Sequence, residues 1–168
     1  METRVISSVA CPEGLRNELE TWFADEFGQA PWEWAAPDHY LLAYSGDALT
    51  ARLGVVERTV SVADVSIRVG GVTGVVTRQQ WRGQGAARSL LSAASAFLRT
   101  QCTVPFGFLL CRPELRSPYE KAGWRVVPGA VRFAQPTGPA KYPHLAMVLR
   151  FGEEDWPIGD VDLQGLPW

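Results

Sequence analysis

A β-branched run, Val75-Val76-Thr77, leads through Arg78-Gln79-Gln80-Trp81 into Arg82-Gly83-Gln84-Gly85-Ala86-Ala87, where a long helical pattern begins. The order is a strand, a short loop rich in N–H groups and a helix N-terminus. Unpaired backbone donors and the positive end of the helix dipole both point outward at such a start, which suits an anion. Arg82 adds a fixed positive charge at the same place. The spacing Arg82-x-x-Gly85-x-Ala87 matters because larger side chains at Gly85 and Ala87 would keep a pyrophosphate from the backbone.

Other elements must hold this loop in place. Residues 4–9 alternate weakly as a first strand, and Pro12 sits where a helix would start. Leu15, Leu19, Trp22, Phe23 and Phe27 share one helical face that ends at Gly28. Residues 30–39 read as a surface loop or short helix. Segments 40–44 and 49–56 flank Ser45-Gly46-Asp47 as a hairpin, and 59–62 and 65–69 flank Ala63-Asp64 as a second turn. Gly70-Gly71, ahead of a strand at 72–77, predicts a bulge or kink.

After the glycine loop, Ala87, Leu90, Leu91, Ala94, Phe97 and Leu98 mark one stripe of the clearest helix. Residues 106–111 form a continuous apolar run, hence a buried central strand. A short helix at 113–121 stops at Gly123. Strands follow at 124–127, 131–133 and 145–151, and 152–168 reads as a polar, turn-rich tail. Antiparallel strands come first and βαβα crossovers follow, so the fold is α+β with a mixed sheet.

The chain has 168 residues, 46% of them hydrophobic and 20% charged, which fits one folded domain over residues 1–168. The net charge is -2 and there is no basic run, which argues against nucleic acid and anionic membranes as partners. Three cysteines, Cys11, Cys102 and Cys111, lack framework spacing and read as free thiols of a reducing compartment. Without a signal-peptide pattern or an apolar run of membrane-span length, the expectation is a cytoplasmic protein. The two histidines, His39 and His144, lie far apart and no metal site is expected.

A second motif, Ser117-Pro118-Tyr119-Glu120-Lys121-Ala122-Gly123-Trp124, stands beside the glycine loop in this element order. Together they make the chain resemble the GNAT superfamily of N-acetyltransferases over most of its length. The resemblance implies a mixed, mostly antiparallel central sheet flanked by helices, with a pyrophosphate loop between a central strand and the main helix. It also implies acetyl transfer from acetyl-CoA to a primary amine, by direct attack in a ternary complex. Two branches look similar. The aminoglycoside 2'-N-acetyltransferases are echoed by Trp32-Glu33, by Asp47-Ala48-Leu49-Thr50-Ala51, by Trp81-Arg82-Gly83-Gln84 and by the final Trp168. The nodulation N-acyltransferases are echoed by Val104-Pro105-Phe106-Gly107-Phe108, Cys111-Arg112-Pro113-Glu114-Leu115 and Asp155-Trp156-Pro157-Ile158-Gly159. Both branches imply a small-molecule amino-sugar acceptor. An acyltransferase for another amine, or a non-catalytic CoA-binding sensor, is the alternative.

On that resemblance, Arg82, Gly83, Gln84, Gly85, Ala86 and Ala87 hold the CoA pyrophosphate, and Val75, Val76 and Thr77 pair their backbone with the pantetheine arm. Tyr119 is the implied general acid. A phenol with a pKa of about 10 keeps its proton at neutral pH and can donate to the departing thiolate. The general base stays open. Relatives carry a glutamate on the strand before the loop, whereas Val72-Thr73-Gly74-Val75 has no acid. A water relayed by Thr73 is one option, and Glu33, Asp38, His39 and Glu57 are others. Glu57 alternatively pairs with Arg58 or Arg52, and His39 is alternatively a solvated loop residue.

The acceptor side falls to Glu33, Asp38, Thr73, Gly74 and Trp168. Trp168 ends the chain, so its indole and a carboxylate would clamp an amino sugar, with a frayed tail as the alternative. Trp32 and Trp34 could stack on sugar rings. No nucleophilic role is expected of Cys111. The resemblance also allows a homodimer built on the apolar tail and strand 145–151.

Overall fold

The computed structural model describes all of residues 1–168. The chain opens with β1 (Glu2–Ser7), a 3-10 turn (Ser8–Ala10) and α1 (Glu13–Phe27), which starts directly after Pro12 and stops at Gly28. Then β2 (His39–Ser45) and β3 (Ala48–Val62) form the expected hairpin. β3 is one strand of 15 residues, not two short ones, and it turns at Ala63-Asp64 into β4 (Val65–Thr77), likewise a single strand. β-branched side chains recur along both and favour the pleated surface.

The glycine loop follows, and α2 (Ala86–Thr100) runs back along the sheet to β5 (Phe106–Cys111). α3 (Arg116–Lys121) is a short helix ended by Gly123, whose φ is 93°. Short strands β6 (Arg125–Val126), β7 (Val131–Phe133) and β8 (Ala140–Lys141) precede β9 (Leu145–Arg150) and β10 (Val161–Asp162). The ten strands form one mixed sheet, with β4 parallel to β5 and β10 parallel to β7 among otherwise antiparallel pairs. This is the α+β architecture of the GNAT type.

Strand alternation divides the core into two layers. Leu53 and Val55 of β3, Leu109 of β5 and Met147 of β9 face α2, which buries Leu90, Leu91, Ala94 and Leu98 against them. Full burial of each such leucine contributes about 1.5–3 kcal/mol. On the opposite face Val60, Val69, Phe106, Phe108 and Val148 pack with Leu163 and Trp168 of the C-terminal segment. Leu19 of α1 joins Tyr40 and Leu42 in a smaller cluster.

The final segment is not frayed. β10 inserts between β3 and β7, and the N–H of Ala35 donates to the Pro167 carbonyl at 2.7 Å. Gly70 and Gly71 do not mark the expected kink, for they pair regularly with Glu57 and Val56. Their role is close approach on opposite faces. A Cβ at Gly70 would stand 2.1 Å from Leu98, and one at Gly71 would stand 2.3 Å from the Trp168 ring.

Candidate active site

Two strand features open the site. β4 and β5 are paired from Val69↔Phe106 to Val72↔Leu109, and there the pairing ends. Across from β5, β3 pairs Gly54 with Thr73 but Arg52 with Val76, so Leu53 faces two residues of β4. The extra residue makes a bulge at Gly74, whose φ of 54° suits glycine. The edge of residues 73–77 that faces β5 therefore has no strand partner. Its amides and carbonyls can take an extended ligand as an added strand.

That edge leads to the loop of the first motif. Gly83 and Gly85 have φ of 77° and 85°, and Gly85 caps α2. The first bond inside the helix runs from the Ser89 N–H to the Gly85 carbonyl at 2.9 Å. The N–H groups from Gly83 to Arg88 donate to no acceptor in the protein, so a phosphate would find converging donors there. Arg82 turns toward α1. Its Nε donates to the Thr77 carbonyl at 3.2 Å, and its guanidinium pairs with Glu26 at 3.5 Å.

A cavity of about 420 Å³ lies where the strands part. Phe23, Glu26 and Phe27 of α1, Trp32 and Trp34, the stretch Val72-Thr73-Gly74-Val75, Cys111 and Arg112, Tyr119, Tyr142, His144 and Trp168 line it. Of the expected site residues, Thr73, Gly74, Val75, Tyr119 and Trp168 come together here. Trp32 and Trp34 face in, edge to face at 5.8 Å.

Four acid–base candidates lie elsewhere. Glu33 is exposed, its backbone held by Gln135 through bonds of 2.9 and 3.0 Å. The Asp38 carboxylate accepts the Glu57 N–H at 2.8 Å and so fastens the loop to β3. Glu57 pairs with Arg68 at 3.4 Å, rather than with Arg58 or Arg52. His39 is a strand residue packed on Phe97 of α2 at 5.1 Å, not a solvated loop residue.

The cavity also holds residues that the motifs did not point to. Phe23, Glu26 and Phe27 recur at helical spacing, a signal that was readable. Arg112 stands in the Cys111–Leu115 motif without a role read for it, and Tyr142 and His144 reach the cavity only through the sheet order, which has no local signature.

Burial sets the titration of the lining. Desolvation pushes the Tyr119 phenol up to about 12 and the Tyr142 phenol up to about 12, with the Cys111 thiol adding to both. It pushes Cys111 itself up to about 11. All three are neutral at physiological pH, so Cys111 is no thiolate nucleophile. Tyr119 packs on Trp124, with ring centroids 6.2 Å apart, and lines the cavity with its phenol protonated. The Trp168 indole is buried, and its Nε1 donates to the Phe108 carbonyl at 3.3 Å. It is a fixed wall of the cavity rather than a free plate.

A parted strand pair, an open backbone edge and a cluster of free amides at a helix start define a GNAT-type N-acetyltransferase that uses an acyl-CoA donor. The sequence model of the nodulation protein A family matches residues 16–161. The chain is 31% identical over 165 residues to an aminoglycoside 2'-N-acetyltransferase of Mycolicibacterium fortuitum, covering 89% of this chain and 84% of that protein. It is 29% identical over 150 residues to nodulation protein A of Rhizobium tropici, covering 80% and 74%. A GNAT family acetyltransferase of Brucella melitensis, solved with acetyl-CoA, has the same fold. Its TM-score is 0.60 at 15% identity, over 95% of this chain and 94% of that one. The chain belongs to the nodulation protein A family. No helix is long and apolar enough to cross a membrane.

Proposed function

We propose that the protein transfers an acetyl group from acetyl-CoA to a primary amine of an amino sugar, first of all the 2'-amine of an aminoglycoside. The observation that carries this reading is the aromatic cavity. It adjoins both the open edge of β4 and the Tyr119 hydroxyl. Aromatic walls with a few polar groups suit a sugar ring presenting one amine. The similarity to an aminoglycoside 2'-N-acetyltransferase supports the same acceptor class. Antibiotic resistance or self-protection is the role that follows.

The residues divide the work. The amides of Gly83 to Arg88 bind the pyrophosphate, and the edge of 73–77, including Val75, Val76 and Thr77, aligns the pantetheine arm. Acetyl-CoA, when bound, supplies the thioester that the amine attacks. A backbone N–H of the open edge polarises the carbonyl. Holding both reactants in one cavity removes most of the entropic barrier. As the C–N bond forms and the C–S bond breaks, Tyr119 donates its hydroxyl proton to the departing sulfur. The phenol then recovers a proton from the nitrogen.

Mass spectrometry of the purified protein with acetyl-CoA and a panel of amino sugars and aminoglycosides tests this. One added acetyl group on a panel member supports the reading, and its position on the product tests the 2'-amine. If no panel member is acetylated while acetyl-CoA still raises the melting temperature, the donor site stands and the acceptor class is wrong.

A further inference from the structure

The reaction needs a free amine, yet no carboxylate stands on the cavity wall formed by β4. Arg52 of β3 stands behind that wall. It is the only charged side chain buried in the fold, at 2% exposure. Its Nη1 donates to the Leu19 carbonyl at 2.8 Å, its Nε has no partner, and no carboxylate pairs with it. The guanidinium lies between the rings of Phe23 and Tyr40, 5.5 and 5.3 Å from their centroids. Its Nη2 abuts the bulge, 2.7 Å from where a Cβ would stand on Gly74. It is 3.3 Å from the Cβ position of Gly54, which the Thr73 methyl also approaches to 2.9 Å. Thr73 and Gly74 line the cavity.

We infer that Arg52 lowers the proton affinity of the acceptor amine, so that the amine reacts as the free base without a dedicated carboxylate. The inference rests on the reading of this cavity as the acceptor site. The ammonium gives its proton to water on entry, and its lone pair is then free for attack. Two effects act in this direction: the apolar lining disfavours the charged form, and the like charge against the Gly74 bulge repels it; the Glu26 carboxylate acts the other way, its charge offset by Arg82.

The surrounding charges are few. Glu20 of α1 and Tyr40 of β2 are the titratable groups acting on Arg52. From β4 the uncharged Gly74 backbone stands against its guanidinium, and Thr73 lies beside it opposite Gly54. Around the amine stand Glu26 from α1, held by Arg82, with Cys111 at the end of β5, Arg112 just after it, Tyr119 from α3, and Tyr142 and His144 before β9. Burial holds the Arg52 guanidinium down to about 10, still fully charged at neutral pH.

The test uses an amine placed in the cavity by mutation, which needs no knowledge of the acceptor. In Thr73→Lys, the introduced ammonium should titrate by NMR well below the ordinary lysine value of about 10.4. Adding Arg52→Met should raise that titration by about one pH unit, and Arg52→Lys should leave it low. An introduced lysine that titrates the same beside methionine as beside arginine overturns the inference. Should Thr73→Lys fail to fold, Phe23→Lys carries the reporter, for Phe23 lines the cavity with its ring 5.5 Å from the guanidinium.

The pH profile of kcat/KM for tobramycin gives a second readout. Its ascending limb should move up by about one unit in Arg52→Met and return in Arg52→Lys, with KM for acetyl-CoA unchanged. An unmoved limb also overturns the inference. Failure of the wild-type protein to acetylate any amino sugar counts against the proposed acceptor alone, because the introduced lysine still reports on Arg52.

Discussion

The indole of Trp168 and the backbone of Gly71 occupy adjoining halves of one space: a Cβ on Gly71 would stand 2.3 Å from Cε2 and Nε1 of the ring. Neither can change alone. Trp168→Ala leaves a void beside Phe108 and should cost about 3–5 kcal/mol in urea unfolding. Gly71→Ala should cost about 1–3 kcal/mol by overpacking and push the indole off the Phe108 carbonyl. Wild-type stability in Trp168→Ala would mean that the segment is not docked as described.

The proposed reaction gives Tyr119 the proton-transfer role. In Tyr119→Phe the ring still packs on Trp124, so stability should change by less than about 1.5 kcal/mol. Steady-state kcat should fall about 100-fold or more, with KM for acetyl-CoA nearly unchanged. Turnover within a factor of about two of wild type would remove Tyr119 from the chemistry.

Alkaline pH should destabilise the fold, and the sign follows from protons held in the native state. Burial raises Tyr119 and Tyr142 from 10.0 to about 12, Cys102 from 9.0 to about 12 and Cys111 from 9.0 to about 11. Between pH 9 and 12 the unfolded chain has released protons that the folded chain keeps, so stability falls as pH rises. Arg52 acts oppositely, because its lowered value makes the unfolded chain bind the extra proton above pH 10. Arg58, also lowered by burial, acts with Arg52, but these two do not outweigh the four together with Cys11 and Tyr40, which burial raises as well. Urea midpoints taken across this range should decline from near pH 9, less steeply above pH 10 in Tyr119→Phe. A flat or rising profile would contradict the burial of these groups.

The glycine loop can be probed without a steric clash. A Cβ at Gly83 or Gly85 meets nothing within 4 Å, so substitution acts through the left-handed backbone alone. Gly85→Ala should cost about 1–2 kcal/mol locally and turn the amides out of convergence. The rise in melting temperature given by acetyl-CoA should shrink, while the same ligand still stabilises the wild type. An undiminished rise would place the pyrophosphate elsewhere.

Much of this architecture can be read from local pattern. Alternation identifies the strands, the stripe of Leu90, Leu91, Ala94 and Leu98 identifies α2, and the glycines at 83 and 85 mark the left-handed turn into that helix. The misread features depend on partners distant in sequence. A glycine pair in a strand can mean a bulge or a close approach. Leu98 and Trp168 decide for close approach at Gly70-Gly71, while the β3–β4 register puts the bulge at Gly74. Asp38 and Glu33 sit in the loop that forms a cavity wall, but bonds to Glu57 and Gln135 fix that loop with both residues facing away. β10 is two residues long and has no period to read. Arg52 lies within a run of buried β3 residues, and only the placement of α1 shows that it is buried beneath the bulge.

The most direct test of the account is a crystal structure of the protein with acetyl-CoA bound. The account predicts pyrophosphate oxygens within hydrogen-bond distance of the amides from Gly83 to Arg88. It also predicts the pantetheine arm along residues 73–77 and the thioester sulfur within reach of the Tyr119 hydroxyl. A pyrophosphate seated away from that loop, or a sulfur beyond the reach of Tyr119, would contradict it.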